Sequence, residues 1–185
     1  MEANKTKFIS YFSLIKRYGA SDLLRFIEST DFFTAPGSTK YHSNYEGGLV
    51  DHSINVYERL IQLAPDYPPE TLAIVSLLHD LCKANFYKVD YKNQKNAFGQ
   101  WERVPYYVIE DQQPIGNHGD KSVFLIMKYM QLTDEEIAAI RFHMGAFQEG
   151  DIRGWGNACE KYPLTVSLHI ADMQATYFDD RRVLQ

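Results

Sequence analysis

Cysteine is almost absent, with only Cys82 and Cys159 in 185 residues. That excludes a disulfide framework and suits free thiols in a reducing compartment. There is no run of about 18 apolar residues, so no segment is expected to span a bilayer. The opening MEANKTKFISYF has neither the apolar core nor the small-residue cleavage site of a secretory signal. The expectation is a cytoplasmic chain that engages no membrane. Basic charge is not in excess either: 19 Lys and Arg against 24 Asp and Glu leave a net charge of -5, which argues against gripping nucleic acid over a broad surface. No low-complexity tract, internal repeat or long run of like charge points to disorder or a repeat fold. A GxSxG elbow is missing, and GGLVDH lacks the Lys-Ser/Thr ending of a phosphate-binding loop.

What is present is 45% hydrophobic and 14% aromatic residues, enough for one core but not for two ordinary domains. Residues 1–185 are therefore expected to form a single domain, with 1–35 a helical N-terminal extension packed on it. Apolar spacing predicts a helix over Thr6–Tyr18 and a second one behind Ser21 as cap. A loop rich in Gly, Pro, Ser and Asn (34–48) leads to a helix over Leu49–Leu63. Pro69 opens ETLAIVSLLHDLCKA, apolar nearly all round and hence central, with His79 and Asp80 inside it. Residues 86–111 turn aromatic and β-prone, suggesting a hairpin. Helices resume with GDKSVFLIMKYM and with LTDEEIAAIRFHMG, where Thr133 and Glu136 have capping-box spacing and Gly145 offers a stop. A loop around Gly150, Gly154 and Gly156 then leads to a last helix, PLTVSLHIADMQATYF, with an inward stripe of Val166, Ile170 and Met173. The fold class is all-α with a small β-hairpin excursion.

Within LLHDLCK an imidazole and a carboxylate stand side by side on an apolar helix, where burial is unfavourable unless something satisfies both. A metal ion would do so, and so would an ordinary hydrogen-bonded pair. His52 on the preceding helix and Asp172 on the last one complete a set of His52, His79, Asp80 and Asp172 that a bundle core could bring together. Nitrogen and oxygen donors of this kind suit Mn, Fe, Co, Ni or Zn better than Ca, with Mg left open.

At this point the sequence resembles the HD superfamily of metal-dependent phosphohydrolases, whose pattern is a His, a His-Asp doublet and a distal Asp. KYHSNYEGGLVDHS and HDLCK look like the corresponding segments of the HD domain of bacterial HD-type exoribonucleases, and GNHGDKS and RFHMG are similar to the further histidine segments of members holding two metals. The resemblance runs from about Pro36 to Phe178. It implies an HD-domain helical bundle in which His52, His79, Asp80 and Asp172 bind one metal, while Asp80 bridges to a second held by His118 and His143. One or two ions per chain follow, Mn or Fe first, then Co, Ni, Zn or Mg. Cys82 stands where these relatives usually have Gly, which places an oxidation-sensitive thiol beside the metals. The roughly 35 residues ahead of the match are too few for a nucleic-acid-binding domain, so the substrate need not be RNA.

Several side chains keep two readings. His118 and His143 are ligands or capping and core histidines. Lys83, one turn beyond the doublet, reaches a phosphate or makes a surface salt bridge. His169, one turn before Asp172, touches substrate, supports a ligand or fills core. His42 approaches the mouth of the site or is a solvated loop residue. Tyr87, Tyr91, Trp101, Tyr106 and Tyr107 stack a base, roof the pocket or are ordinary core. The expected reaction is attack of a metal-activated water on a phosphomonoester or phosphodiester, with Asp80 and Lys83 catalytic and a nucleotide or short oligonucleotide as the small phosphorylated substrate. The alternatives are a di-iron oxygenase and a non-catalytic metal-bound sensing domain. Self-association into a homo-oligomer is left open.

Overall fold

A computed structural model describes residues 2–113, 116–145 and 151–180. In chain order it contains α1 (Glu2–Phe12), α2 (Ala20–Glu28), α3 (Gly48–Leu63) and α4 (Pro69–Leu78), then a 3-10 turn (Leu81–Lys83), β1 (Tyr87–Lys95) and β2 (Trp101–Ile109). There follow α5 (His118–Met127), α6 (Asp134–Arg141), α7 (Ile152–Lys161), α8 (Pro163–Gln174) and a π-helical turn (Ala175–Asp179). The two strands form one antiparallel hairpin, Tyr87 opposite Ile109 and Lys95 opposite Trp101. All the other regular elements among the described residues are helical, as expected. No helix among the described residues is long and apolar enough to cross a membrane.

The centre is α4. Every residue from Leu72 to Leu78 is buried, so this helix has no solvent face, and α1, α3 and α6 pack around it. Its apolar sequence makes that the only stable placement, since each buried Leu, Ile or Val contributes about 1.5–3 kcal/mol relative to exposure. α8 lies against α3 and α6. Phe8 and Phe12 of α1 join the same core.

Five local expectations need correction. The first helix spans Glu2–Phe12, not Thr6–Tyr18, and α2 is entered through Gly19 (φ +88°), not capped by Ser21; a Cβ at Gly19 would lie 1.8 Å from the Tyr129 carbonyl oxygen, so only glycine fits. The central helix stops at Leu78, leaving His79 and Asp80 in the turn that follows. His79 Nδ1 donates to the Ser76 carbonyl at 2.7 Å, an acceptor that a continuing helix would give to the Asp80 amide. Much of the expected glycine loop is α7, nucleated by the Asp151 carboxylate accepting from Gly154 N at 2.9 Å; Gly150 lies outside the described residues. The inward stripe of α8 is Leu164, Leu168 and Ala171, continued by Ala175 in the π-helical turn; of the expected stripe Val166 is half-buried, whereas Ile170 and Met173 are exposed.

Both capping boxes tie helices that carry the site. Thr133 and Glu136 cap α6 as predicted, and Asn117 and Asp120 cap α5. Glu136 does more: its buried carboxylate accepts two bonds from Arg17 (2.6 and 3.0 Å) and one from Thr71 (3.1 Å), linking the N-terminal segment, α4 and α6. Burial is the largest single influence and opposes its ionisation, but the hydrogen bonds and charge of Arg17, together with bonds from Thr133 and Thr71, outweigh it and lower the pKa below the ordinary 4.5. A depressed carboxyl stabilises the fold above its unfolded pKa and loses that contribution as pH falls through the folded value. Glu136→Ala is therefore expected to destabilise the fold by about 3 kcal/mol at neutral pH. In denaturant titrations the gap from wild type should shrink as the solution is acidified below the glutamate range.

Candidate metal centre

His52 comes from the second turn of α3, His79 and Asp80 from the end of α4, His118 from the first turn of α5, His143 from the turn after α6, and His169 and Asp172 from α8. Helix ends rather than helix middles deliver most of them. This lets their side chains meet without breaking the ladders around them.

Ring orientation carries the chemical information. His79 and His143 each donate Nδ1–H to a carbonyl three residues back, Ser76 and Ile140, both at 2.7 Å. His52 Nδ1 lies 2.8 Å from Asp180 Oδ2. Carbonyls and carboxylates only accept, so the proton of each neutral ring is fixed on Nδ1 and the Nε2 lone pair is presented inward. His52 Nε2 and His79 Nε2 then face each other at 3.2 Å. Two bare lone pairs at that distance repel unless a cation lies between them. His143 Nε2 is buried with no hydrogen-bond partner, 3.5 Å from Asp80 Oδ1. Asp80 is central: Oδ1 is 2.5 Å from His118 Nε2, and Oδ2 is 3.4 Å from His79 Nε2 and 2.7 Å from Lys83 Nζ. Asp172 Oδ1 is 3.2 Å from His52 Nε2. The triads His52–His79–Asp172 and His79–Asp80–His143 can each hold a metal ion. Oriented imidazoles, buried carboxylates and an unsatisfied Nε2 fit a divalent cation.

The electrostatics agree. Burial disfavours a charged His52, but Asp172 and Asp180 outweigh it and push its pKa up to about 10. Burial likewise opposes ionisation of Asp80, yet Lys83, His79 and His118 hold it well below the carboxylate range. Asp172 and Asp180 are lowered against burial chiefly by their imidazole partners. A protonated His52 presents no Nε2 lone pair, so metal binding at that nitrogen would release a proton. Calorimetry in buffers of differing ionisation enthalpy is expected to show proton release on loading; a buffer-independent heat would contradict the geometry.

All nine residues singled out from the sequence lie in one cluster, around a cavity of ≈540 Å³. Lys83 makes no surface salt bridge: it is largely buried, pairs with Asp80 and donates to the Gly37 carbonyl at 2.8 Å. His42 is not a solvated loop residue, because its Nδ1 lies 2.8 Å from Asp180 Oδ2 and its ring 4.7 Å from that of His52. His169 Nδ1 donates to the His143 carbonyl at 2.7 Å, bracing the turn that carries His143. Cys82 is no exposed redox thiol; burial first, then Asp80, raises its pKa to about 12 and keeps it protonated. The hairpin aromatics do not line the cavity, and Tyr91 and Trp101 are exposed, not core.

Asp180 is the residue the sequence reading missed. It accepts from His42, His52 and Asn55 at 2.8–2.9 Å. A signal was there: Asp179 and Asp180 end a helix, where the macrodipole disfavours acids, so both need another reason. For Asp179 that reason is a bidentate pair with Arg59.

The family model of the HD domain matches residues 49–173. The chain belongs to the HD-domain family. Comparison with curated proteins and with solved structures gave no significant match. HD domains are metal-dependent hydrolases, and this one has buried His and Asp groupings able to hold divalent metal. The matched span takes in His52, the doublet, His118, His143, His169 and Asp172. His42 and Asp180, which close one side of the cluster, fall outside it.

Proposed function

We propose that this HD domain hydrolyses a phosphomonoester or phosphodiester, with a nucleotide or short oligonucleotide as the substrate class. The observation that carries the reading is the inward convergence of the His52, His79 and His143 Nε2 atoms on Asp80, with Lys83 at its edge. His52, His79, Asp80 and Asp172 would hold one divalent ion, and Asp80, His118 and His143 a second, with Mn or Fe favoured by the donor set. When bound, such ions supply an activated water and Lewis-acid charge.

The chain's own residues do the rest. Asp80 stays ionised at every physiological pH, so it never needs a proton removed before serving the site. Asp180 and the Ser76 and Ile140 carbonyls fix three imidazoles against rotation. Lys83 spends N–H groups on Asp80 and Gly37 and lines the cavity, where its remaining donor can meet a non-bridging phosphate oxygen. His42 and His169 line the same cavity and would serve as substrate contacts.

The test is elemental analysis of purified protein, then a screen of phosphate esters with Mn, Co, Ni and Mg. Phosphate or alcohol release in a metal-dependent manner is expected. Iron-loaded protein that consumes dioxygen and releases no phosphate would replace this reading with the oxygenase one.

A further inference from the structure

The hairpin contributes nothing to the cavity, and its two faces differ. Register places Tyr87, Val89, Tyr91, Asn93 and Lys95 on one face with Ile109, Tyr107, Pro105, Arg103 and Trp101 opposite them. Neither strand puts an Asp or Glu on that face, although Glu46 lies near enough to Tyr107 to raise its pKa, in a chain whose net charge is -5. The other face mixes both signs, with Asp90 and Glu102 beside Lys88 and Lys92.

The outer part of the first face is also uncovered. Val89, Tyr91, Ile109 and Trp101 are 55, 51, 60 and 70% exposed, more apolar surface than a two-stranded ribbon leaves bare without a use. Its cations lie flat on its rings: the Arg103 guanidinium is 4.5 Å from the Tyr91 centroid and Lys95 Nζ 5.2 Å from that of Trp101. The turn that presents them is ordered, Asn96 Oδ1 accepting from Phe98 N and Gln100 N at 2.9 and 3.0 Å. At its base the face approaches Gly37, the backbone partner of Lys83. Tyr87, of the same parity, places its hydroxyl 3.5 Å from the Gly37 carbonyl that Lys83 also binds.

We infer that this face docks single-stranded nucleic acid, its bases stacking on Tyr91 and Trp101, its phosphates meeting Arg103 and Lys95, and one end led toward Lys83. Rings interleaved with cations, with no hairpin carboxylate among them, match a polyanion with aromatic bases, which would take the ring faces as Arg103 and Lys95 turn from them to its phosphates. An apolar protein partner would leave both cations uncompensated. The inference deepens the phosphate-ester reading and rests on it for the fate of the docked strand, though not for docking itself.

The test is fluorescence anisotropy of full-length protein with a labelled oligouridylate of about 12 nucleotides, run alongside turnover of bis(p-nitrophenyl) phosphate, a diester too small to reach the hairpin. Wild type should bind, more weakly as salt rises. Tyr91→Ala with Trp101→Ala, and separately Arg103→Glu, should each weaken binding by at least about tenfold, while Lys88→Ala on the opposite face leaves it unchanged. All variants should turn over the small diester at the wild-type rate. Absence of binding, or binding that survives loss of both rings, overturns the inference; so does a dimer that the same variants dissociate without any oligonucleotide binding. Oligonucleotide binding without turnover of any ester would leave docking standing and remove the hydrolase reading.

Discussion

Asp80→Ala is expected to lower phosphate-ester hydrolysis by at least about 1000-fold, because the several kcal/mol that metal charge contributes to such a transition state converts at about 1.4 kcal/mol per decade. Among the described residues, Asp80 is the one side chain within 3.7 Å of His52, His79, Lys83, His118 and His143 together. Its loss removes the carboxylate shared by both candidate ion positions and leaves the Lys83 ammonium buried beside a cluster of imidazoles. Metal content per chain should fall in parallel with activity. Since an unpaired buried Lys83 also destabilises the fold, Asp80→Asn serves as the shape-preserving companion, checked by thermal unfolding. Activity that persists in a folded Asp80→Asn protein would contradict the role given to this residue.

Asp180→Ala is expected to weaken metal affinity by about 10–100-fold, the usual effect of losing the partner that orients a ligating imidazole. Asp180, His42 and His52 also form a group close enough to hold an ion, but in the proposed arrangement Asp180 is no ligand of either ion; it fixes His52 through Nδ1 and holds His42 beside it. The signature should therefore be recoverable. Raising the metal concentration should restore most of the rate, whereas Asp80→Ala should not respond. A purely structural role would lower thermal stability and leave the metal dependence of the rate unchanged, so the metal titration separates the two.

These two residues mark how far the sequence could be read. The doublet was legible because a polar pair amid ETLAIVSLLHDLCKA needs a partner, and the order of His52, His118, His143 and Asp172 around it matched a known pattern. Asp180 was not, since it follows the last periodic residue and its partners, His42 and His52, lie more than 120 positions away. The central helix could be placed from its apolar run, but its end at Leu78 could not. That break comes from a side-chain bond of His79 to its own helix, which no periodicity reports. α7 hid behind Gly154 and Gly156, with Asp151 as the only cue to a helix start. The stripe of α8 was misjudged because α3 and α6 both flank it, so burial follows two neighbours rather than one apolar face.

The most direct measurement is a reload titration. Protein stripped of metal with a chelator should release no product from a phosphate ester, and stepwise addition of Mn should restore the rate, saturating at one or two equivalents per chain. Hydrolysis by the stripped protein at the reloaded rate would contradict the account.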